Sequence, residues 1–208
     1  MKKIRTTVYI DGQNLYHSIK ELNRPELNWV NYWSLSESLL RKNEELIEVN
    51  YFTASPTWLP DQLVKFRVHM KALNHVGVNI IYGLFKDKFL QCPKCGRRYS
   101  TKEEKETDIN IGLRLVTDGM RDLYDRAILI SADTDLKAAL ETAQHLCEDK
   151  EIFVAAPQGR RNRARDLQPR YEIKPGRIAN HLLDAEFKDS DGKVFITRPA
   201  DYDPPSSN

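Results

Sequence analysis

"TTVYIDGQN", residues 6–14, decides the fold. Its first half, Thr6 to Ile10, is β-branched and apolar and short enough to be a buried strand. It then breaks into Asp11, Gly12, Gln13 and Asn14. Asp-Gly is a common turn pair. An acid and two amides at a strand's carboxyl end also suit a metal site, because open α/β sheets build their sites beyond those ends. The rest of the chain has to separate the two readings.

Outward from this stretch, short apolar runs alternate with helical patterns. Strands are expected at 6–10, 46–52, 78–83, 126–131 and 151–156, all rich in Val, Ile, Tyr or Phe. Helices are expected at 30–43, 59–77, 107–120 and 134–148. The third carries Ile109, Ile111 and Leu115; the fourth carries Leu136, Ala139, Leu140, Ala143 and Leu146 on one face. Such alternation predicts an α/β fold, a largely parallel sheet covered on both sides. Residues 157–176 read as an irregular, Arg-rich connection, and the tail from Arg198, with its prolines, as disordered.

Composition bounds the partners. The 208 residues suit one α/β domain with at most a small appendage. Lys plus Arg (32) nearly balance Asp plus Glu (30), so the net charge of +2 selects no partner, and anion binding must come from local clusters. No apolar run reaches the ~18 residues of a membrane span. The stretch before Asp11 has lysines but lacks the apolar core of a signal peptide, so a cytoplasmic location and no membrane partner are expected. Three cysteines, two of them in CxxC, argue for thiols or a metal rather than a disulfide framework.

Acids stand at other strand ends too. "SADTD" (131–135) follows the fourth expected strand and carries Asp133 and Asp135, while Asp108 opens the 107–120 helix. Each alone reads as a turn or a helix cap. Together they converge if the first and fourth strands are neighbours. Two carboxylates about 4 Å apart then repel by roughly 4 kcal/mol at an effective dielectric of 20, and a cation or protonation must offset this. Hard oxygen ligands suit Mg²⁺ or Mn²⁺. Asp118 lies ten residues beyond Asp108, about 15 Å along a helix, and is expected at the surface or helix end. Asp122 and Asp125 read as turn residues.

"VYIDGQNLYHSIK", "EEKETDINIGLRLVTD" and "AILISADTDLKAAL", in that order and spacing, resemble the three motif blocks of NYN domains, a branch of the PIN-like nucleases. The resemblance covers roughly residues 4–157 and is weakest between about 20 and 100. It implies a three-layer, Rossmann-like PIN-type fold and a Mg²⁺- or Mn²⁺-dependent ribonuclease. The nuclease domain would span 1–185, and 186–208 would be a C-terminal extension. Carried over by residue, Asp11, Asp108, Asp133 and Asp135 are the metal-binding and catalytic acids. Asn14 accompanies Asp11, and Ser131 and Thr134 are small polar groups placed to touch water or phosphate.

Two features stand apart. "FLQCPKCGRRYS" (89–100), within an insert at 86–104, resembles a zinc knuckle built on Cys92 and Cys95. Tetrahedral zinc needs four ligands. The pair is therefore completed by distant ligands, shared between two chains as Cys₄ in a homodimer, or without metal. Cys147 reads as a small buried hydrophobe, and His69, His75 and His145 as surface or hydrogen-bonded histidines. The insert's basic flanks, Lys86, Lys88, Lys94, Arg97 and Arg98, are candidate RNA contacts. The second feature is "QGRRNRARDLQPR", which carries Arg160, Arg161, Arg163, Arg165 and Arg170. It either holds phosphates at the acidic rim or is a solvated loop pairing with acids such as Asp166. Lys102 and Lys105 are further candidate phosphate contacts, and Tyr16 and His17 are placed to line the cleft. With no aromatics among the arginines, little base stacking is expected there.

The leading expectation is a metal-dependent endoribonuclease. The alternative is a non-catalytic RNA-binding or adaptor module on the same fold. A structure-specific DNA nuclease lacks its arch or helix-hairpin-helix here. A haloacid-type phosphatase would want DxD where Asp11-Gly12-Gln13 stands.

Overall fold

The computed structural model describes residues 2–205. Six strands form one wholly parallel sheet: β1 (Ile4–Asp11), β2 (Glu44–Thr53), β3 (Asn79–Tyr82), β6 (Arg126–Ile130), β7 (Glu151–Ala156) and β8 (Tyr171–Glu172). Their order is β3-β2-β1-β6-β7-β8. The chain builds outward from β1 in one direction, then returns to build outward from β6 in the other. The switch point therefore lies between β1 and β6, where Val8 pairs with Ile128 and Ile10 with Ile130.

Alternation along β1 assigns the two faces. Val8 and Ile10 point to one side, with Val49, Tyr51, Ile128 and Phe153. That side is covered by α1 (Gly12–Lys20), α2 (Tyr32–Glu37), α3 (Pro60–His75) and α6 (Pro175–Ala179), through Leu15, Ile19, Leu35, Leu73 and Ile178. Tyr9 points to the other side, with Phe52, Leu129 and Val154, under α4 (Thr107–Met120) and α5 (Lys137–Leu146). Three layers result, as expected from the sequence.

Two antiparallel hairpins leave this body. β4 (Leu84–Gln91) and β5 (Arg98–Lys105) form the insert, with Cys92 and Cys95 at its tip. β9 (Glu186–Lys188) and β10 (Val194–Thr197) form the second. Ahead of and within residues 198–205, part of the tail expected to be disordered, aromatic side chains pack on the body. Phe187 and Phe195 pack edge-on against His75, and Tyr202 lies against Trp29, whose indole N–H donates to the Asp184 carbonyl at 2.9 Å. Aromatic contacts offset the ordering cost that the prolines signalled. Residues 206–208 lie outside the described ones.

Other expectations need correction. The helix expected over 30–43 is only Tyr32–Glu37. Ile109 and Leu146 are exposed, because α4 and α5 each turn a narrower stripe to the sheet. Asp118 is not a surface acid. It is buried, accepting from the Tyr9 hydroxyl at 2.9 Å and from Arg114 Nε at 2.8 Å. Cys147, by contrast, is buried beside Gly119, as its reading as a small hydrophobe implied.

At the amino ends of the strands lies a buried ion network. Arg126 opens β6 and pairs with Glu44 of β2 and Glu151 of β7, with Arg126 and Glu44 both nearly free of solvent. Removing one partner leaves an uncompensated buried charge. Arg126→Ala should therefore cost about 3–5 kcal/mol, read as a lowered urea midpoint at unchanged slope. An unchanged midpoint would show that Glu44 finds water.

Candidate active site

β1 ends at Asp11 and α1 begins at Gly12, with no residue between. Asp11 is the N-cap of that helix. One carboxylate oxygen accepts from the Asn14 backbone N–H at 3.0 Å. The other accepts from Ser131 Oγ at 2.7 Å, just beyond the end of β6. Ser131 Oγ in turn accepts from the Asp133 N–H at 3.0 Å. The turn and cap readings and the site reading are thus compatible, since capping fixes the carboxylate at the rim of the sheet.

Gly12 is required for this junction. A Cβ there would overlap the Phe52 carbonyl oxygen and lie 2.7 Å from the Tyr51 ring. Gly12→Ala should cost about 1–3 kcal/mol, visible as a melting temperature lowered by several degrees. An unchanged melting temperature would show that β2 yields without penalty.

Asp11, Asn14, His17, Glu104, Asp108 and Asp133 line one cavity of about 440 Å³, with Arg160 and Arg163 on its wall. Asp108 sits in the first turn of α4. Asp133 caps the short turn before α5 by accepting from the Asp135 N–H at 3.0 Å. Glu104 comes from β5 and accepts from Thr107 Oγ1 at 2.6 Å.

Burial, opposed by the hydrogen bonds of Asn14 and Ser131, pushes the Asp11 carboxyl up to about 6, and Asp108 and Asp133 add to the rise. Burial likewise pushes Glu104 up to about 7, with Asp11 and Asp108 contributing. Loss of water, then Asp133 and Asp135, raises Asp108. The charges acting on these three acids are other carboxylates. Burial lowers His17, and Lys20 and Arg160 act in the same direction.

The structure does not bring every expected residue to the cavity. Asp135 and Thr134 are exposed outside its lining, although Asp135 still acts on Asp108. Lys105 pairs with Glu103 at 2.8 Å and does not line the cavity. Lys102 pairs with Asp87 at 2.7 Å. Arg160 is held by Glu21 while lining the cavity; Arg161 lies outside the lining, and Arg170 packs its guanidinium 4.2 Å from the Phe153 ring centre. His69 is buried and bonded to the Val30 carbonyl. Glu104 was missed by sequence reasoning. It lies on β5, where a strand had not been expected and where the sequence carries no apolar alternation.

Among the described residues, no three His, Cys, Asp or Glu side chains stand close enough to enclose a metal ion. This applies to the cavity and to the Cys92–Cys95 tip. The donor set nevertheless fits a hard divalent cation: all carboxylates, partly buried, with Asp11, Glu104 and Asp108 raised by burial and then by neighbouring acids, in a cavity open on one side. Mg²⁺ in particular binds through one or two carboxylates, retained waters and substrate phosphates rather than a closed protein cage.

A family model for the NYN domain matches residues 5–170. The chain belongs to the NYN domain family. NYN domains have a PIN-like fold, are generally nucleases acting on RNA, and usually use divalent metals. No curated protein matches the chain. A crystal structure of VPA0982, a protein of unknown function from Vibrio parahaemolyticus RIMD 2210633, is similar in fold. It shares 18% identity at a TM-score of 0.54, covering 88% of this chain and 98% of that one. The NYN match ends before β8 and the β9–β10 hairpin. No helix among the described residues is long and apolar enough to cross a membrane.

Proposed function

We propose that this NYN domain hydrolyses RNA phosphodiester bonds within the strand, with Mg²⁺ or Mn²⁺ taken into the cavity lined by Asp11, Asp108, Asp133 and Glu104, directly by one or two of these carboxylates and through retained waters by the others. The observation that carries the proposal is the convergence of these four acids in one open cavity at the switch point of the sheet. An ion bound there supplies Lewis acidity and a lowered water pKa. The chain's own residues do the rest. Asn14 and Ser131 fix Asp11 so that the carboxylate is presented without rearrangement. Arg160 and Arg163, lining the same cavity, bind phosphate oxygens and hold the strand against the acids. His17, whose imidazole is kept toward its neutral form, lines the same cavity as a hydrogen-bond partner for the strand. Asp135 acts indirectly, through its charge on Asp108.

The test is cleavage of internally labelled single-stranded RNA by the full chain in Mn²⁺, Mg²⁺ or EDTA. Internal fragments with either metal and none in EDTA are expected. RNA binding without cleavage in any metal would favour the non-catalytic adaptor, a reading supported by the absence of three enclosing ligands among the described residues.

A further inference from the structure

A second cavity, of about 520 Å³, adjoins the acidic one, and Gln13 and His17 line both. Its character is different. Tyr16, Trp58 and Phe85 line it with Lys20, Lys65 and Lys102. Trp58 follows the carboxyl end of β2, on the same rim of the sheet as Asp11. It meets Phe85 edge-to-face with ring centres 4.5 Å apart, and remains 36% exposed. The Lys102 ammonium lies 5.6 Å from the Trp58 ring centre, and that of Lys20 5.9 Å from the Tyr16 ring centre.

The β4–β5 hairpin ties the two cavities together. Phe85 is the cross-strand partner of Glu104, so an aromatic wall of the second cavity stands directly beside an acid of the first. Lys102 and Glu104 lie two apart on β5 and so share a face of the hairpin. An aromatic surface next to an ammonium group matches a nucleotide: the rings take the base and Lys20 the phosphate, Lys65 and Lys102 being paired with Asp201 and Asp87. Both features adjoin the place where a scissile phosphate would lie.

We infer that Trp58 and Phe85 form a nucleobase subsite that takes an unpaired base next to the cleaved phosphate, so that the substrate is single-stranded RNA at that position. This rests on reading the acidic cavity as a phosphodiester site. A paired base, stacked within a duplex, does not offer its face to the rings. The subsite explains why a large indole is left partly wet beside a cluster of acids.

The experiment is equilibrium binding of a labelled single-stranded oligoribonucleotide to the full chain, in EDTA and again in Ca²⁺. A single abasic nucleotide is scanned along the strand, and cleavage is measured separately in Mn²⁺. Trp58→Ala should weaken binding about tenfold or more, and Trp58→Phe should restore most of it. One abasic position should weaken wild-type binding by a similar factor and leave Trp58→Ala unaffected. Phe85→Ala, on the hairpin rather than the core, should repeat the pattern. Failure to bind RNA in either solution, equal affinity for duplex, or an abasic penalty that persists in Trp58→Ala would overturn the inference. Cleavage without a base-sensitive position would sink the subsite and leave the nuclease reading intact. A base-sensitive position without cleavage would do the reverse.

Discussion

Asp11→Asn should reduce metal-dependent RNA cleavage by on the order of a thousandfold or more, while making the metal-free protein more stable. The loss follows from the charge removed where a cation must be held; electrostatic contributions of several kcal/mol translate into factors of that size. The gain follows from the same carboxylate. Its pKa is pushed from 3.8 to about 6 by burial and by Asp108 and Asp133. Near neutral pH the folded protein must ionise a group that burial disfavours, a penalty of about 1–3 kcal/mol. An asparagine still accepts from the Asn14 N–H and carries no charge. The melting temperature of the metal-free variant should therefore rise by several degrees. Retained cleavage would remove Asp11 from the chemistry. Lost cleavage with a fallen melting temperature would mean that the acid serves mainly as a cap.

The second large effect is pH-dependent. Asp11 and Glu104 both have raised values, about 6 and about 7 in the folded protein. A carboxyl whose pKa is raised on folding stabilises the fold fully below its unfolded value, near 4. That contribution is lost as pH rises through the folded value. Without divalent ions, the contribution of these acids should therefore fall from about pH 4 to about pH 7, against the opposite contribution of buried His69, which burial pushes down to about 4. Mn²⁺ in large excess over its dissociation constant should reverse this, by about 2.7 kcal/mol at a hundredfold excess. The upward shift in melting temperature should be large at pH 8 and small at pH 5, where protons compete for the same oxygens. Glu104→Gln should flatten the metal-free profile. A Mn²⁺ shift equal at both pH values, or equal in Asp11→Asn, would place the ion elsewhere.

Much of the frame was legible because parallel strands buried on both faces announce themselves. β6 and β7 are almost continuous apolar runs and β1 carries Val8, Tyr9 and Ile10 in its second half, with Asp11 closing β1 and Asp133 three residues beyond β6. What resisted reading was context. Glu104 looked like one charge among many in "KEEKETD", since β4 and β5 lie outside the main sheet and lack its apolar signature. Asp118 was expected at the surface or helix end because it lies ten residues beyond Asp108. Arg114, one turn earlier on the same helix, is a pairing its own segment offers, but nothing there reveals that Tyr9 reaches it from β1. Thr134, Asp135, Lys105 and Arg161 belong to the right segments, but their side chains stand outside the cavity lining. A one-residue difference on a turn or strand changes which side is faced. The aromatic subsite escaped for a related reason. Trp58 and Phe85 are separated in sequence and meet only because the hairpin folds back over the β2 rim.

The hydrogen bond from Ser131 to Asp11 joins residues 120 positions apart. A ribosome adding roughly 5–20 residues per second delivers the second of these about 6–24 s after the first. Through that interval the nascent chain carries Asp11 with neither Ser131 nor Asp133, and β1 has no β6 to pair with. The cleft is thus assembled only after β6 and the residues that follow it have been made. Until then a growing polypeptide of this sequence presents Asp11 without the hydroxyl that fixes its carboxylate.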